Sequence, residues 1–248
     1  MTWCQFAQTT FYQPALLARG CARAPQIEWA NVAADPEAPR GAGQPRLAEL
    51  ELSEWRRNVA EMYSDVRRAT DPAQAHARWR EGRDRLFREH PQSPLGVSDP
   101  MRATGVPYWP YDQSLRFATS VIPASSAREY TLTTAADEAT RIRLIGWVEV
   151  PEPVAGRLAV WWLEQYGGGI FLPFRDATAG RSTYGAGRYL LDSAKGADLG
   201  VLDDGRLVLD FNFSYHPSCR YDDAWQCPLA PPENVVSAAI QAGEKLSW

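Results

Sequence analysis

The sequence predicts a mainly β protein, an antiparallel β-barrel or β-sandwich preceded by two N-terminal α-helices. Three observations carry the prediction. Apolar residues recur at spacings of three and four from about residue 47 to residue 89, and then the pattern stops. From about residue 106 short β-type runs follow one another: "SLRFATSVI", "REYTLTT", "TRIRLIGWVEV", "RLAVWWLEQY", "GIFLPF", "RYLLD" and "RLVLDFNFSY". Clusters of Gly, Pro and Asp separate these runs with no helical period between them, the pattern of antiparallel strands rather than of parallel strands joined by helices.

In chain order, residues 1–46 carry no clear pattern, and "ADPEAPRGAGQPR" reads as a linker. A first helix is expected over 47–69, where Leu52, Trp55, Val59, Met62 and Val66 form one apolar stripe. "TDP" at 70–72 offers Asp71 as an N-cap and Pro72 at the first helical position. The second helix runs to about Glu89 with Ala75, Trp79, Leu86 and Phe87 inward, and "HPQSPLG" stops it. The chain thus divides into an extension over 1–46, a helical segment over 47–90 packed on the core, and a β-rich domain over 91–248. The prolines that open "CPLAPPENVV" bar a helix there.

Composition excludes several classes. A chain of 248 residues with 45% hydrophobic residues can build a sizeable core. A net charge of −4 gives no basic field to draw nucleic acid. Runs such as "RLAVWWL" are too short to span a bilayer. The N-terminus lacks a basic start followed by an apolar core, so no signal peptide is expected. Four cysteines in this length are no disulfide framework, and a cytoplasmic protein is expected. A homodimer is compatible with the sequence.

The chemistry concentrates in "DFNFSYHPSCRYDDAWQC", residues 210–227. If 206–215 is a strand, alternation places Leu207, Leu209, Phe211, Phe213 and Tyr215 on the core face. Asp210, Asn212, Ser214 and His216 fall on the other, as a solvent face or as a row lining a cleft. The loop "RDATAGRSTYGAGRY" adds Asp176, Thr183, Tyr184 and Arg188, the last suited to gripping a carboxylate or phosphate. Its glycines match neither a dinucleotide fingerprint nor a phosphate loop. His216, Cys219 and Cys227 are short of a zinc set, so no metal and no cofactor is expected. Cys219 acting as a nucleophile with His216 as its base competes with Cys219 as a buried filler.

These residues also carry a family resemblance. "GIFLPFRDATAGRSTYGAGRYL", "LDFNFSYHPSCRY" and "CPLAPPENVVSAAIQAGEK" resemble the family catalogued as domain of unknown function 1684. Its members read F-x-P-F-x-D-x-T-x-G-x-x-T-Y-G-x-G-R-Y-L, then D-F-N-x-A-Y-N-P-x-C-x-Y, then C-P-x-P-P-x-E-N and A-G-E-K. With "HARWREGRDRLFREHPQSPL" the resemblance covers about 75–245. It implies a soluble bacterial or archaeal protein without a settled activity. Phe174, Asp176, Thr183, Tyr184, Arg188, Tyr189, Asp210, Asn212, Tyr215, Cys219, Cys227, Glu233, Asn234 and Glu244 fall on motif positions. His216 and Ser214 depart from the pattern, which has Asn and Ala there.

The expected function is a small-molecule enzyme doing acid/base chemistry on an anionic or polar substrate. Asp210, His216 and Tyr184 are its candidate catalytic residues, and Arg188, Asn212, Asp176, Thr183 and Cys219 its candidate substrate contacts. The alternatives are a non-catalytic small-ligand-binding β-barrel and a structural module with a buried polar network. A hairpin through "LDDGR" is expected to bring Arg188 and Asp210 onto adjacent strands facing one pocket, so that Asp210→Asn would remove activity at little cost in stability.

Overall fold

A computed structural model describes residues 47–126, 128–133, 139–164 and 166–247; the expected extension over 1–46 lies outside the described residues. Both expected helices are present, α1 (Ala48–Arg68) and α2 (Pro72–Glu89). Asp71 caps α2: its carboxylate accepts the N–H groups of Ala73 at 3.0 Å and Gln74 at 3.1 Å. Ala75, Trp79, Leu86 and Phe87 are buried along one face of α2, as the stripe requires. Burying a side chain such as Phe87 contributes about 1.5–3 kcal/mol. The short α3 (Met101–Thr104) ends at Gly105 with φ 78°, where a Cβ would meet the Asp84 carboxylate.

The remainder is antiparallel β structure. The strands are β1 (Arg116–Thr119), β2 (Ile122–Pro123), β3 (Glu129–Thr133), β4 (Ala139–Val150), β5 (Gly156–Leu163), β6 (Gly169–Phe174), β7 (Arg188–Asp192) and β8 (Leu207–Asp210). Six form one sheet in the order β2-β4-β5-β6-β7, with β3 also on β4; β1 and β8 form a separate pair. Among the described residues no sheet closes into a barrel. The large sheet is apolar on both faces. Leu158 and Val160 of β5 join Tyr63, Trp79 and Phe87 in one core. Ala159 and Trp161 join Phe171 and Tyr189 in another. A strand buried on both faces reads as a continuous apolar run, which explains "AVWWL".

Three expectations are corrected. The last strand does not run to 215. It ends at Asp210, and Phe211–Phe213 is a 3₁₀ turn in which the Asp210 carboxylate caps the Asn212 N–H. Asp and Asn compete for backbone hydrogen bonds, so here they end a strand rather than decorate it. Polar and apolar faces do not alternate either: residues 207–214 are all buried. Nor is there a hairpin between the strands of Arg188 and Asp210. β7 pairs with β6, where Arg188 faces Phe174, and β8 pairs with β1, where Asp210 faces Arg116. What meets β7 is the chain beyond the turn, through an antiparallel bridge between Tyr189 and Tyr215.

Candidate functional site: three buried networks and a cavity under the helices

The expected site residues fall into separate networks. The first joins Asp210 and Asn212 to the approach to β1. Asn212 Nδ2 donates to Asp112 O and to Asp210 Oδ1, both at 2.8 Å, and its Oδ1 accepts the Asp112 N–H at 2.8 Å. Its backbone oxygen meets His76 Nε2 of α2 at 2.8 Å. Asp210 Oδ2 accepts from Tyr111 at 3.2 Å and lies 3.6 Å from Arg116 Nε. Burial raises the Asp210 carboxyl above the usual range, against the pull of Asn212, Tyr111 and Arg116. Asp210 borders a recess of about 130 Å³ that Arg67 and Arg116 also line. Only 1% of it is exposed, and both its oxygens are engaged within the fold.

The second network holds the C-terminal segment. Arg188 donates through Nη1 to the carbonyls of Ala242 and, at 3.2 Å, Glu244. Through Nη2 it reaches Ile240 O at 2.9 Å and Asp176 Oδ1 at 3.4 Å. Asp176 Oδ2 accepts the Ile240 N–H at 2.7 Å, Thr178 donates to Asp176, and Thr178 and Thr183 share a hydrogen bond of 2.9 Å. Burial lowers Arg188 to about 10 despite Asp176. Arg188 therefore clamps residues 240–244 to the 176–187 loop, and the expected single pocket shared with Asp210 is not formed.

The third network centres on Glu244, which is fully buried. Its Oε1 accepts from Arg83 Nε at 2.7 Å and Tyr108 at 3.1 Å. Its Oε2 accepts the His216 N–H at 2.6 Å and the Tyr221 hydroxyl at 2.8 Å. Burial alone would raise Glu244, but Arg83 and His216 together hold it below the usual range. His216 Nε2 accepts the Tyr184 N–H at 3.2 Å, so the neutral ring carries its proton on Nδ1, 3.4 Å from Glu244. Both ring nitrogens are engaged, and burial lowers His216 to about 4. Cys219 therefore has no free imidazole beside it, and among the described residues no group of three or more His, Cys, Asp and Glu is arranged to hold a metal.

Polar atoms without protein partners gather elsewhere. A cavity of about 70 Å³ lies between α1, α2 and the end of β7. Its walls are aromatic and apolar, with Trp55, Phe87 and Tyr215 among them. Three buried polar atoms of its lining residues have no hydrogen-bond partner in the protein: Tyr63 Oη, Trp79 Nε1 and Asp192 Oδ1. The Trp79 indole lies close enough to Tyr63 to favour its ionised form without forming a well-aligned hydrogen bond. Eight buried side-chain atoms among the described residues are unpartnered, so three around one small cavity is a concentration. The other Asp192 oxygen meets Lys195 at 3.5 Å. Burial raises both Asp192 and Tyr63.

A profile described as protein of unknown function, DUF1684, matches residues 102–245. The chain belongs to this family. The solution NMR structure of an uncharacterized protein from gene locus rrnAC0354 of Haloarcula marismortui is similar to this DUF1684 chain, with 30% identity and a TM-score of 0.51 over 70% of this chain and 92% of that one. None of the curated proteins compared matches. No helix among the described residues is long and apolar enough to cross a membrane.

The DUF1684 match begins after α2, whereas the cavity is walled by α1 and α2 as much as by the sheet. Of the residues expected to form the site, only His216 lines the cavity. Tyr63, Arg83 and Asp192 escape sequence reasoning, though each left a signal. Arg83 sits four residues after Trp79 and three before Leu86, a charge on the apolar stripe of α2. Asp192 closes a strand buried at every position. Tyr63 lies four residues beyond Val59, on the stripe's edge.

Proposed function

We propose that this protein binds a small polar molecule in the cavity beneath α1 and α2. The observation that carries the reading is that Tyr63, Trp79 and Asp192, all lining one aromatic-walled cavity, each carry a buried polar atom without a well-aligned hydrogen-bond partner in the protein. The tyrosine and the indole offer donors, and the carboxylate offers an acceptor. The complementary ligand is a compact amine, hydroxyl or amide group. The space of 70 Å³ is about half that of an engineered cavity that admits benzene, so it suits such a head group with any larger part outside.

Acid/base chemistry at this place falls to Asp192 rather than to Asp210 or His216. Asp192 is the carboxyl in the cavity lining, and burial raises it, so it is the group there that can exchange a proton with a bound ligand. Asp210 and His216 have their atoms committed to structural partners. The cavity lies between helices and sheet, so the binding reading does not require a barrel lumen.

Saturation-transfer NMR with acetamide, ethanolamine and propanol as probes tests the proposal. Transfer to at least one probe is expected in the wild-type chain, weakened about tenfold or more in Asp192→Asn and in Tyr63→Phe, the equivalent of about 1.4 kcal/mol. Transfer to no probe, or equal transfer in the variants, would sink it, and so would a crystal structure in which bridging waters occupy the cavity in the presence of every probe.

A further inference from the structure

Cys219 and Cys227 are both half-buried and unbridged. The Cys219 N–H donates to Cys227 Sγ at 3.4 Å. This contact places the Cys227 sulfur against the backbone of Cys219. The interaction with Cys227 pushes the Cys219 thiol up, and the interaction with Cys219 favours the Cys227 thiolate. Lys195 also lies near enough to favour the Cys227 thiolate. Both residues lie on a segment whose only regular structure is one short 3₁₀ turn, Ser218–Arg220. A disulfide needs its Cβ atoms about 3.5–4.5 Å apart, which such a segment reaches by side-chain rotation and small backbone movement.

We propose that Cys219 and Cys227 form a thiol–disulfide exchange site for low-molecular-weight disulfides of the glutathione type. The inference stands on the 3.4 Å contact between the Cys219 N–H and Cys227 Sγ and does not depend on what the cavity binds. The Cys227 thiolate attacks one sulfur of the small disulfide; that S–S bond breaks and one small thiolate leaves with the electron pair. Cys219 then gives its proton to solvent and attacks Cys227 Sγ, and the second small thiolate leaves. The protein dithiol is oxidised by two electrons, the small disulfide is reduced to two thiols, and the two protons lost by the cysteines end on those thiols.

The full reduced chain is treated with oxidised glutathione, quenched with acid, digested with trypsin and weighed. Cleavage after Arg206, Arg220 and Lys245 leaves the two cysteines on separate peptides, 207–220 and 221–245. The expected product is these two peptides joined, lighter than their sum by two hydrogens, and released by dithiothreitol. In Cys219→Ser the glutathione should stay on Cys227, and in Cys227→Ser the reaction of Cys219 should be slower by about tenfold or more. A wild-type chain that stops at the glutathione adduct, stays unmodified, or pairs either cysteine with Cys4 or Cys21 overturns the proposal. Equal trapping rates in the two variants overturn it as well.

Discussion

Glu244 has no water to fall back on: it is fully buried, and every partner it has is a protein group. Its role follows from the arginine opposite. Arg83 is buried under three rings, 4.4 Å from Phe87 and 4.9 Å from Tyr215 among them, and its charge is tolerable because Glu244 is there. Removing one partner of a buried pair costs about 3–5 kcal/mol, whereas replacing both with apolar groups is often neutral. Glu244→Gln is therefore expected to lower stability by that amount in urea unfolding. An unchanged midpoint for the single variant would show that Arg83 does not depend on Glu244. At this scale the sequence showed the residue types and not their partners. Arg83 and Glu244 stand 161 positions apart, and nothing in either neighbourhood names the other.

Elements were more legible than their pairings. Helical periodicity and the Asp71-Pro72 start are local signals, and both helices lie where these put them. The short β runs are local too. Which strand neighbours which depends on distant loops, and so β7 pairs with β6 and β8 with β1 rather than with each other. The clue lay in Asp210-x-Asn212, read as a polar strand face when it is a cap. The Asp210 carboxylate accepts the Asn212 N–H at 3.1 Å and its Nδ2 at 2.8 Å, which turns the chain out of β8 and into Phe211–Phe213. The consequence reverses the expectation drawn from sequence. Asp210→Asn places an amide N–H₂ among donors and is expected to cost about 1–3 kcal/mol, visible as a lower thermal midpoint. Full stability in this variant would return Asp210 to the list of functional candidates.

For the whole molecule, the buried histidines dictate how stability depends on pH. His76 and His216 are each lowered from 6.5 to about 4, chiefly by burial. His76 faces Arg80 and the Asn212 carbonyl, and His216 faces Glu244 with Arg188, Arg220 and Arg83 nearby. A depressed folded-state pKa means that the unfolded chain takes up protons first. The stability these groups contribute is therefore complete above about pH 6.5 and is lost as pH falls toward 4. Within that window each histidine gives a slope of about 1.4 kcal/mol per pH unit, and the two together about 2.7. Asp210 and Asp192 act in the opposite sense, because their folded values are raised. Their contribution is complete below the unfolded carboxylate value of about 3.9 and is lost as pH rises through the raised folded value, so above that point they oppose the histidine slope. Unfolding free energies in urea between pH 5 and 7 are expected to fall with acid, and His216→Asn to reduce the slope by about half whatever it does to the absolute stability. An amide at 216 does not titrate and can still accept the Tyr184 N–H, so the slope isolates the proton from the packing. A wild-type profile flat from pH 7 to 5, or one that His216→Asn leaves as steep as before, would show that His216 is not held neutral by its burial against Glu244.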